Sequence, residues 1–287
     1  MKDSAFSAIG EVPPARQASL LWNLQMMKDS RDFPSGKPTT SRYAILSVPR
    51  SGSTLMARAL RQTGQAGDPH EYLNPNAISA WSTLQGKPPS SAGAYLAAIE
   101  TRRTAPNGRF GIKIHYSHLL RLAAKPADFT PIAADFLKRQ DRLILIYRTD
   151  RIAQAVSYYV AQTTGLWTSE HGNYLADRQA CPLVFDALAI TRCLAHIVEG
   201  EQGWRNLLER LQLPCLEVTY EGLTTAYQDT LGRVFRYIGI DSPTAIENPA
   251  VTPTTHPQAF DLVAQFRAYL GCASPVLLAR PVSALQD

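Results

Sequence analysis

An α/β fold, a parallel sheet flanked by helices, follows from three features of the sequence. Short apolar runs recur at long intervals, the stretches between them carry helical spacing, and the first run breaks at a Pro/Ser/Gly turn that restarts as a helix. Apolar runs without alternation suit strands covered on both faces, and strands that alternate with helices build parallel, doubly wound sheets. Such sheets bind ligands beyond the carboxyl ends of their strands.

Residues 1–40 read as a leader: Pro13-Pro14, a helical patch around Leu20 to Met27, then a linker at Pro34-Ser35-Gly36-Lys37-Pro38. A single domain is expected over 41–287. Its first strand is Tyr43 to Val48 (YAILSV), broken by Pro49-Arg50-Ser51-Gly52 and followed by a helix from Ser53 that ends near Gly64. Residues 79–106 are less regular and, with Gly86-Lys87-Pro88-Pro89-Ser90-Ser91-Ala92-Gly93 inside them, read as a cap-like insertion. Phe110 to His115 (FGIKIH), Leu143 to Tyr147 (LILIY) and Leu216 to Thr219 (LEVT) are the remaining strands. Asp150 is the N-cap of a helix to about Gln162, and further helices run over Leu183 to Leu211 and Leu223 to Ile238. A Pro-rich stretch (Pro243, Pro249, Pro253, Pro257) precedes a last helix around Ala259 to Leu270.

Composition narrows the function classes. The 287 residues are 45% hydrophobic and 18% charged, ordinary for a globular chain, and 29 Lys+Arg against 24 Asp+Glu leave a charge of +5. No run of Lys/Arg or interleaved basic and aromatic residues accompanies that surplus, so nucleic acid is not an expected partner. No apolar run approaches the ~18 residues of a membrane span, and the N-terminal sequence lacks the apolar core of a secretory signal. Cys181, Cys193, Cys215 and Cys272 form no C-x-x-C pair and no zinc spacing, which suits a reduced, cytoplasmic protein without a metal. His115, His118, His171, His196 and His256 likewise show no partner spacing.

Ser47 to Thr54 occupies the register of a phosphate-binding loop, in which backbone N–H groups and a helix N-terminus face an anion. Against G-x-x-x-x-G-K-[ST], Ser47 stands for the first glycine and Ser53 for the lysine. Loss of that lysine removes the group that neutralises β/γ-phosphate charge. Arg50 offers a cation inside the turn instead. From the loop alone, anion binding and simple helix capping are evenly balanced.

The wider pattern resembles PAPS-dependent sulfotransferases (PAPS is 3′-phosphoadenosine 5′-phosphosulfate), and within them the bacterial trehalose 2-sulfotransferase family. R-S-G-S-T-L stands at Arg50–Leu55, T-G-x-A-G-[DE]-P-x-E at Thr63–Glu71, and P-N-G-x-x-G-x-K at Pro106–Lys113. A-Q-A-V-S follows at Ala153–Ser157, a Q-T-x-x-W motif shifted by one residue at Gln162–Trp167, and G-W-R at Gly203–Arg205. The resemblance extends from Tyr43 to about Leu270 and leaves the leader uncovered.

It implies a P-loop NTPase-like sulfotransferase fold, a homodimer, PAPS as donor without a metal, and transfer of the sulfuryl group to a carbohydrate or glycolipid hydroxyl. Arg50, Ser51, Gly52, Ser53 and Thr54 become the 5′-phosphosulfate loop. The family's 3′-phosphate residues carry onto Arg148, at a strand end, and Ser157, nine positions on. Such an arginine and hydroxyl can converge on one phosphate, one as a charged fork and one as a directional donor. Glu71 aligns with the general base, a role that gains from a pKa raised by burial. His70, its neighbour, is the rival, but consecutive residues of an extended loop point opposite ways. Asp68 suits the holding of sugar hydroxyls, Lys113 the neutralising of transferred charge, and Trp167 stacking on a sugar ring. Tyr158-Tyr159-Val160, His115-Tyr116-Ser117 and the stretch 79–106 depart from the family on the acceptor side. The competing readings are a P-loop kinase or nucleotide hydrolase, and a non-catalytic nucleotide- or glycan-binding protein on the same fold.

Overall fold

Four parallel strands, β1 (Ser41–Ser47), β2 (Arg109–His115), β3 (Arg142–Tyr147) and β4 (Leu216–Thr219), lie in the order β2-β1-β3-β4. They belong to a computed structural model that describes residues 14–34, 38–123, 129–167, 183–241 and 258–273. Ser47 of β1 stands opposite His115, Leu46 opposite Leu145, and Tyr147 of β3 opposite Thr219. Helix α1 (Pro14–Met26) precedes β1, and α2 (Ser53–Gln62), α3 (Pro75–Gln85) and α4 (Ala92–Arg103) separate β1 from β2. Helices α5 (Tyr116–Leu120) and α6 (Phe129–Lys138) lead to β3, and α7 (Arg151–Thr164) and α8 (Ala187–Arg210) lead to β4. Helices α9 (Tyr220–Thr225), α10 (Tyr227–Tyr237) and α11 (Ala259–Ala273) follow.

The pleat divides the strand residues between two cores. Tyr43, Ile45, Ile144, Ile146 and Val218 pack with Met56 and Leu60 of α2 and Leu231, Val234 and Phe235 of α10. Ala44, Leu46, Ile112, Ile114, Leu143 and Leu145 point the other way, into Leu24, Trp81, Tyr95, Ile99, Phe136 and Trp204. Burial on both faces explains why the strands read as unbroken apolar runs. A third cluster joins α7, α8 and α11 around Val156, Ile197 and Phe266.

Three expectations are revised. The stretch 79–106 is not an irregular cap: α3 starts at the Asn74 cap with Pro75 in its first turn, α4 starts at the Ser91 cap, and both helices bury aromatic residues in the main core. Residues 14–34 of the expected leader form a layer of the domain, since Leu24 and Met27 are buried and Phe33 N–H bonds the Arg102 carbonyl. The single helix expected from Leu223 to Ile238 is two, α9 and α10, parted where Ala226 takes φ −136° and ψ 56°. Asp150 caps α7 as expected, accepting from Ala153 N–H at 2.9 Å. The Pro-rich stretch 243–257, Cys181, His171 and His256 lie outside the described residues.

With β1 flanked by β2 on one side and β3 on the other, the chain reverses its direction of travel across the sheet at β1. The crevice beyond the carboxyl ends at that reversal is where doubly wound sheets bind ligands. The loops after β1 and β3 both open onto it.

Candidate active site

The turn after β1 is shaped by two left-handed residues, Arg50 (φ 65°) and Gly52 (φ 87°). Gly52 has a second constraint: a Cβ there would stand 2.7 Å from Tyr220 Cδ2. Gly52 is also the N-cap of α2 and offers no side chain to its orphan N–H groups, so these stay open to an anion. Gln154 of α7 steadies the turn by donating to the Pro49 carbonyl at 2.8 Å. Arg50 Nε donates to Ser157 Oγ at 3.0 Å, and Arg50 Nη1 donates to the Trp167 carbonyl. The structure therefore joins Arg50, Ser157 and Trp167. Arg148 leaves the end of β3 with its guanidinium 4.7 Å from the centre of the Tyr220 ring and 3.9 Å from Glu221. Tyr220 is thus wedged between Gly52 and Arg148. Ser51 Oγ and Arg148 Nε are buried donors without a hydrogen-bond partner.

Glu71 lies at the centre of the second half of the site. Its Oε1 is 2.8 Å from Lys113 Nζ and 3.2 Å from His115 Nε2, while Asn74 Nδ2 donates to Oε2 at 3.0 Å. Lys113 Nζ also donates to Thr54 Oγ1 at 2.9 Å, which ties the carboxylate to the phosphate-type loop. Lys113 and His115 alternate on β2, so the pleat turns both towards Glu71. His115 Nδ1 lies 2.9 Å from Ser47 Oγ, and Trp204 Nε1 donates to the Ser47 carbonyl at 2.9 Å.

Burial and charge act on Glu71 in opposite directions. Burial raises the Glu71 carboxyl, but the charge of Lys113, then His115 by charge and hydrogen bond, outweighs it and holds the group well below the usual carboxylate range. His70 is fully enclosed beside Tyr72, and burial, reinforced by Lys113, pushes its imidazole down to about 3. Asp68 is not brought into the site. It is 1% exposed and bound by Arg31, Arg61 and Arg103, so its carboxylate is spent on guanidinium groups and cannot hold a sugar hydroxyl. Trp167 rests its ring on Tyr158, centroids 5.8 Å apart.

Asn74 and Tyr220 were not singled out from sequence, Ser47 only as the start of the loop register, and His115 only as a histidine without partner spacing and a departure from the family. The trace His115 left there is its two-residue spacing from Lys113 on a strand. Among the described residues no group of His, Cys, Asp and Glu is placed to hold a metal ion, and no helix is long and apolar enough to cross a membrane.

Comparison with known proteins adds the following. The family described as Stf0 sulphotransferase matches residues 42–269. A protein named trehalose 2-sulfotransferase from Mycobacterium tuberculosis is 26% identical over 256 residues, 79% of this chain and 94% of that one. A protein of the same name from Mycolicibacterium smegmatis is 26% identical over 263 residues, 81% of this chain and 96% of that one. A solved sulfotransferase domain from the olefin synthase of Synechococcus PCC 7002 aligns with TM-score 0.41 and 18% identity, covering 82% of this chain and 90% of that domain.

Proposed function

The chain belongs to the Stf0 sulphotransferase family, and from that premise we propose that it transfers the sulfuryl group of PAPS to a carbohydrate or glycolipid hydroxyl with Glu71 as general base. The observation that carries this reading is the chain Thr54–Lys113–Glu71, with contacts of 2.9 and 2.8 Å, which joins a carboxylate to an anion-binding loop. A kinase or hydrolase would need a loop lysine where Ser53 stands.

Bound PAPS would supply a sulfuryl group already activated on a phosphate leaving group. The residues present fit such a polyanion. The α2 N-terminus, Arg50, Ser51, Ser53 and Thr54 would hold its 5′ side, and Gly52 keeps a side chain from blocking the backbone. Arg148 and Ser157 would hold the 3′-phosphate; the unpartnered donors Ser51 Oγ and Arg148 Nε support that assignment.

For proton removal, the two Glu71 oxygens differ. Oε1 has both Lys113 and His115, whereas Oε2 has Asn74 alone. A carboxylate oxygen accepts about two hydrogen bonds, so Oε2 keeps one direction open for the acceptor hydroxyl. As the acceptor O–H bond breaks, its proton goes to Oε2 and the oxygen attacks sulfur in line. The S–O bond to the phosphate breaks with its electron pair left on the phosphate oxygen. Arg50 and the loop amides stabilise that charge, and Lys113 stands between base and loop to screen it. The relatives' names point to a sugar acceptor. A cleft beside the loop, lined by Val48, Pro49, Tyr116, Ser117, His196 and Glu199, supports a place for it. Trp167 borders the same end of the sheet and is kept as a stacking residue; a homodimer is kept as the assembly.

Thermal shift with adenosine 3′,5′-bisphosphate, ADP and ATP–magnesium tests the donor. Selective stabilisation by the 3′-phosphorylated nucleotide is expected. Equal stabilisation by all three, or preference for ATP–magnesium, would overturn the assignment. Glu71→Gln should keep the nucleotide response and lose about 100-fold or more in transfer of labelled sulfate to small glycans.

A further inference from the structure

We infer that the cleft beside the phosphate-type loop binds a glycoside with an apolar aglycone, its sugar held by Ser117, His196 and Glu199 and its aglycone lying on Leu120. The inference rests on the sulfotransferase reading above and narrows its acceptor to an amphiphilic glycoside. Three pieces of chain form the cleft. Val48 and Pro49 follow β1, Tyr116, Ser117 and Leu120 belong to α5, and His196, Glu199 and Gly200 belong to α8.

The sheet sets the position of the cleft. Ser47 of β1 stands opposite His115 of β2, whose Nε2 is 3.2 Å from Glu71 Oε1. The next residue after each strand, Val48 and Tyr116, already lines the cleft, and Pro49 leads into the loop. An acceptor held there borders both the loop and the strand ends that reach Glu71. Gly200 keeps side-chain atoms out of the bottom: a Cβ there would stand 2.8 Å from Val48 Cγ1 and 3.5 Å from Tyr116 Cβ. Val48 and Gly200 are buried, whereas Glu199 is exposed and Leu120 is 42% exposed, so the last two mark the mouth.

The chemistry of the lining divides in the same way. A serine hydroxyl donates and accepts, an imidazole donates from at least one nitrogen, and a carboxylate accepts; together they match sugar hydroxyls, which do both. Val48, Pro49 and Leu120 surround these few polar groups with apolar surface, the usual make-up of a small-molecule site. The reacting hydroxyl has to face inward to Glu71, so whatever the sugar carries leaves by the mouth, over Leu120. Ser117 and Leu120 are three residues apart on α5 and share one face of it, so one ligand meets both. An apolar aglycone takes the Leu120 side chain out of water, which a free sugar does not do.

Calorimetric titration of the full chain tests this, with octyl and methyl β-glucosides and the matching galactosides kept below the concentration at which octyl chains form micelles. In at least one pair the octyl glycoside should bind about tenfold more tightly, the effect of burying about two methylene groups. Leu120→Gln should bring that ratio close to one, and Leu120→Met should restore it. Octyl tetraoxyethylene, which has the chain without the sugar, should bind more weakly than the octyl glycoside. Equal binding within both pairs, no binding of any glycoside, a ratio unmoved by Leu120→Gln, or equal binding of the sugar-free chain would each overturn the inference. The titration needs neither donor nor turnover. A missing response to adenosine 3′,5′-bisphosphate, or transfer unchanged in Glu71→Gln, would therefore fell the donor or base assignment and leave the glycoside result standing.

Discussion

At Glu71, burial and charge pull the carboxyl in opposite directions, and the charge of Lys113 and His115 wins. The sequence shows only that a base would gain from a raised value; it does not show the cations that β2 brings back from more than forty residues away. The depressed value gives a prediction about stability. A carboxylate held below its ordinary value stabilises the fold above that value, and the contribution is lost as pH falls through the lowered one. Lys113→Met removes the largest source of the lowering. Glu71 should then take up its proton at higher pH, readable as a ¹³C-carboxyl titration, and the acid-side loss of stability should begin earlier. Because both side chains are largely buried, the variant should also lose about 3 kcal/mol at neutral pH in denaturant titration. An unchanged Glu71 titration would show that Lys113 is not its counter-ion in solution. His115 stayed illegible for the same reason as the shift. Its partners Glu71 and Ser47 come from separate segments, and only its i, i+2 relation to Lys113 is written in the chain.

The elements themselves were legible where one physical cause dominates. Strands β1, β2 and β3 are buried over most of their length, so they appear as largely apolar runs, whereas β4 exposes Glu217; Asp150 announces α7 as a capping residue. Helices α3 and α4 were hidden by the Gly/Pro/Ser-rich connection between them, although Asn74-Pro75 and Ser91 carry the start signals of both. The turn between β1 and α2 was legible as a loop type, but its packing against Tyr220 was not, because α9 meets it only through the sheet order. That packing makes Gly52→Ala a sharp test. The substitution places a Cβ at φ 87° and 2.7 Å from Tyr220 Cδ2. It should cost about 1–2 kcal/mol from the left-handed backbone alone and abolish stabilisation by adenosine 3′,5′-bisphosphate. Retained nucleotide response would mean that the loop amides are not the anion site. Asp68 tests a different junction, where residues before β1, the end of α2 and the end of α4 meet on one carboxylate. Burial raises it, and Arg31, by hydrogen bond and charge, then Arg61 bring it below its ordinary value of 3.8. Asp68→Asn leaves the buried Arg103 and the partly exposed Arg31 and Arg61 short of a counter-charge and should cost about 3 kcal/mol, seen in urea unfolding at neutral pH. Its penalty should shrink as the native protein is acidified through the depressed value, since the wild-type carboxylate is then protonated too.

On the scale of the molecule, the chain ahead of β1 changes meaning once it is folded. Leu24 and Met27 enter the same core as Tyr72, Leu73 and Trp81, and Met27 is 1% exposed. Arg103 Nη2 donates to the Lys28 carbonyl at 3.0 Å, and Arg31 reaches Asp68 at 2.6 Å. These contacts engage the segment from Asp68 to Asn74, the one that carries Glu71. The layer therefore supports the segment that carries the base; α1 also meets α7, the helix of Ser157, but Met27 lies beyond the end of α1. Met27→Ala opens a cavity in the core cluster that also holds Tyr72 and Leu73 and should cost about 2–5 kcal/mol. The melting temperature should fall by several degrees in calorimetry. Stabilisation by adenosine 3′,5′-bisphosphate should persist, because Arg50, Ser157 and the α2 N-terminus are held by β1, α7 and α9. Sulfate transfer measured well below the lowered melting temperature should drop, since Glu71 loses its backing. A melting temperature unchanged by Met27→Ala would instead make residues 14–34 an arm that does not pack on the domain in solution. A lost nucleotide response in a folded variant would show that base and donor site share one support.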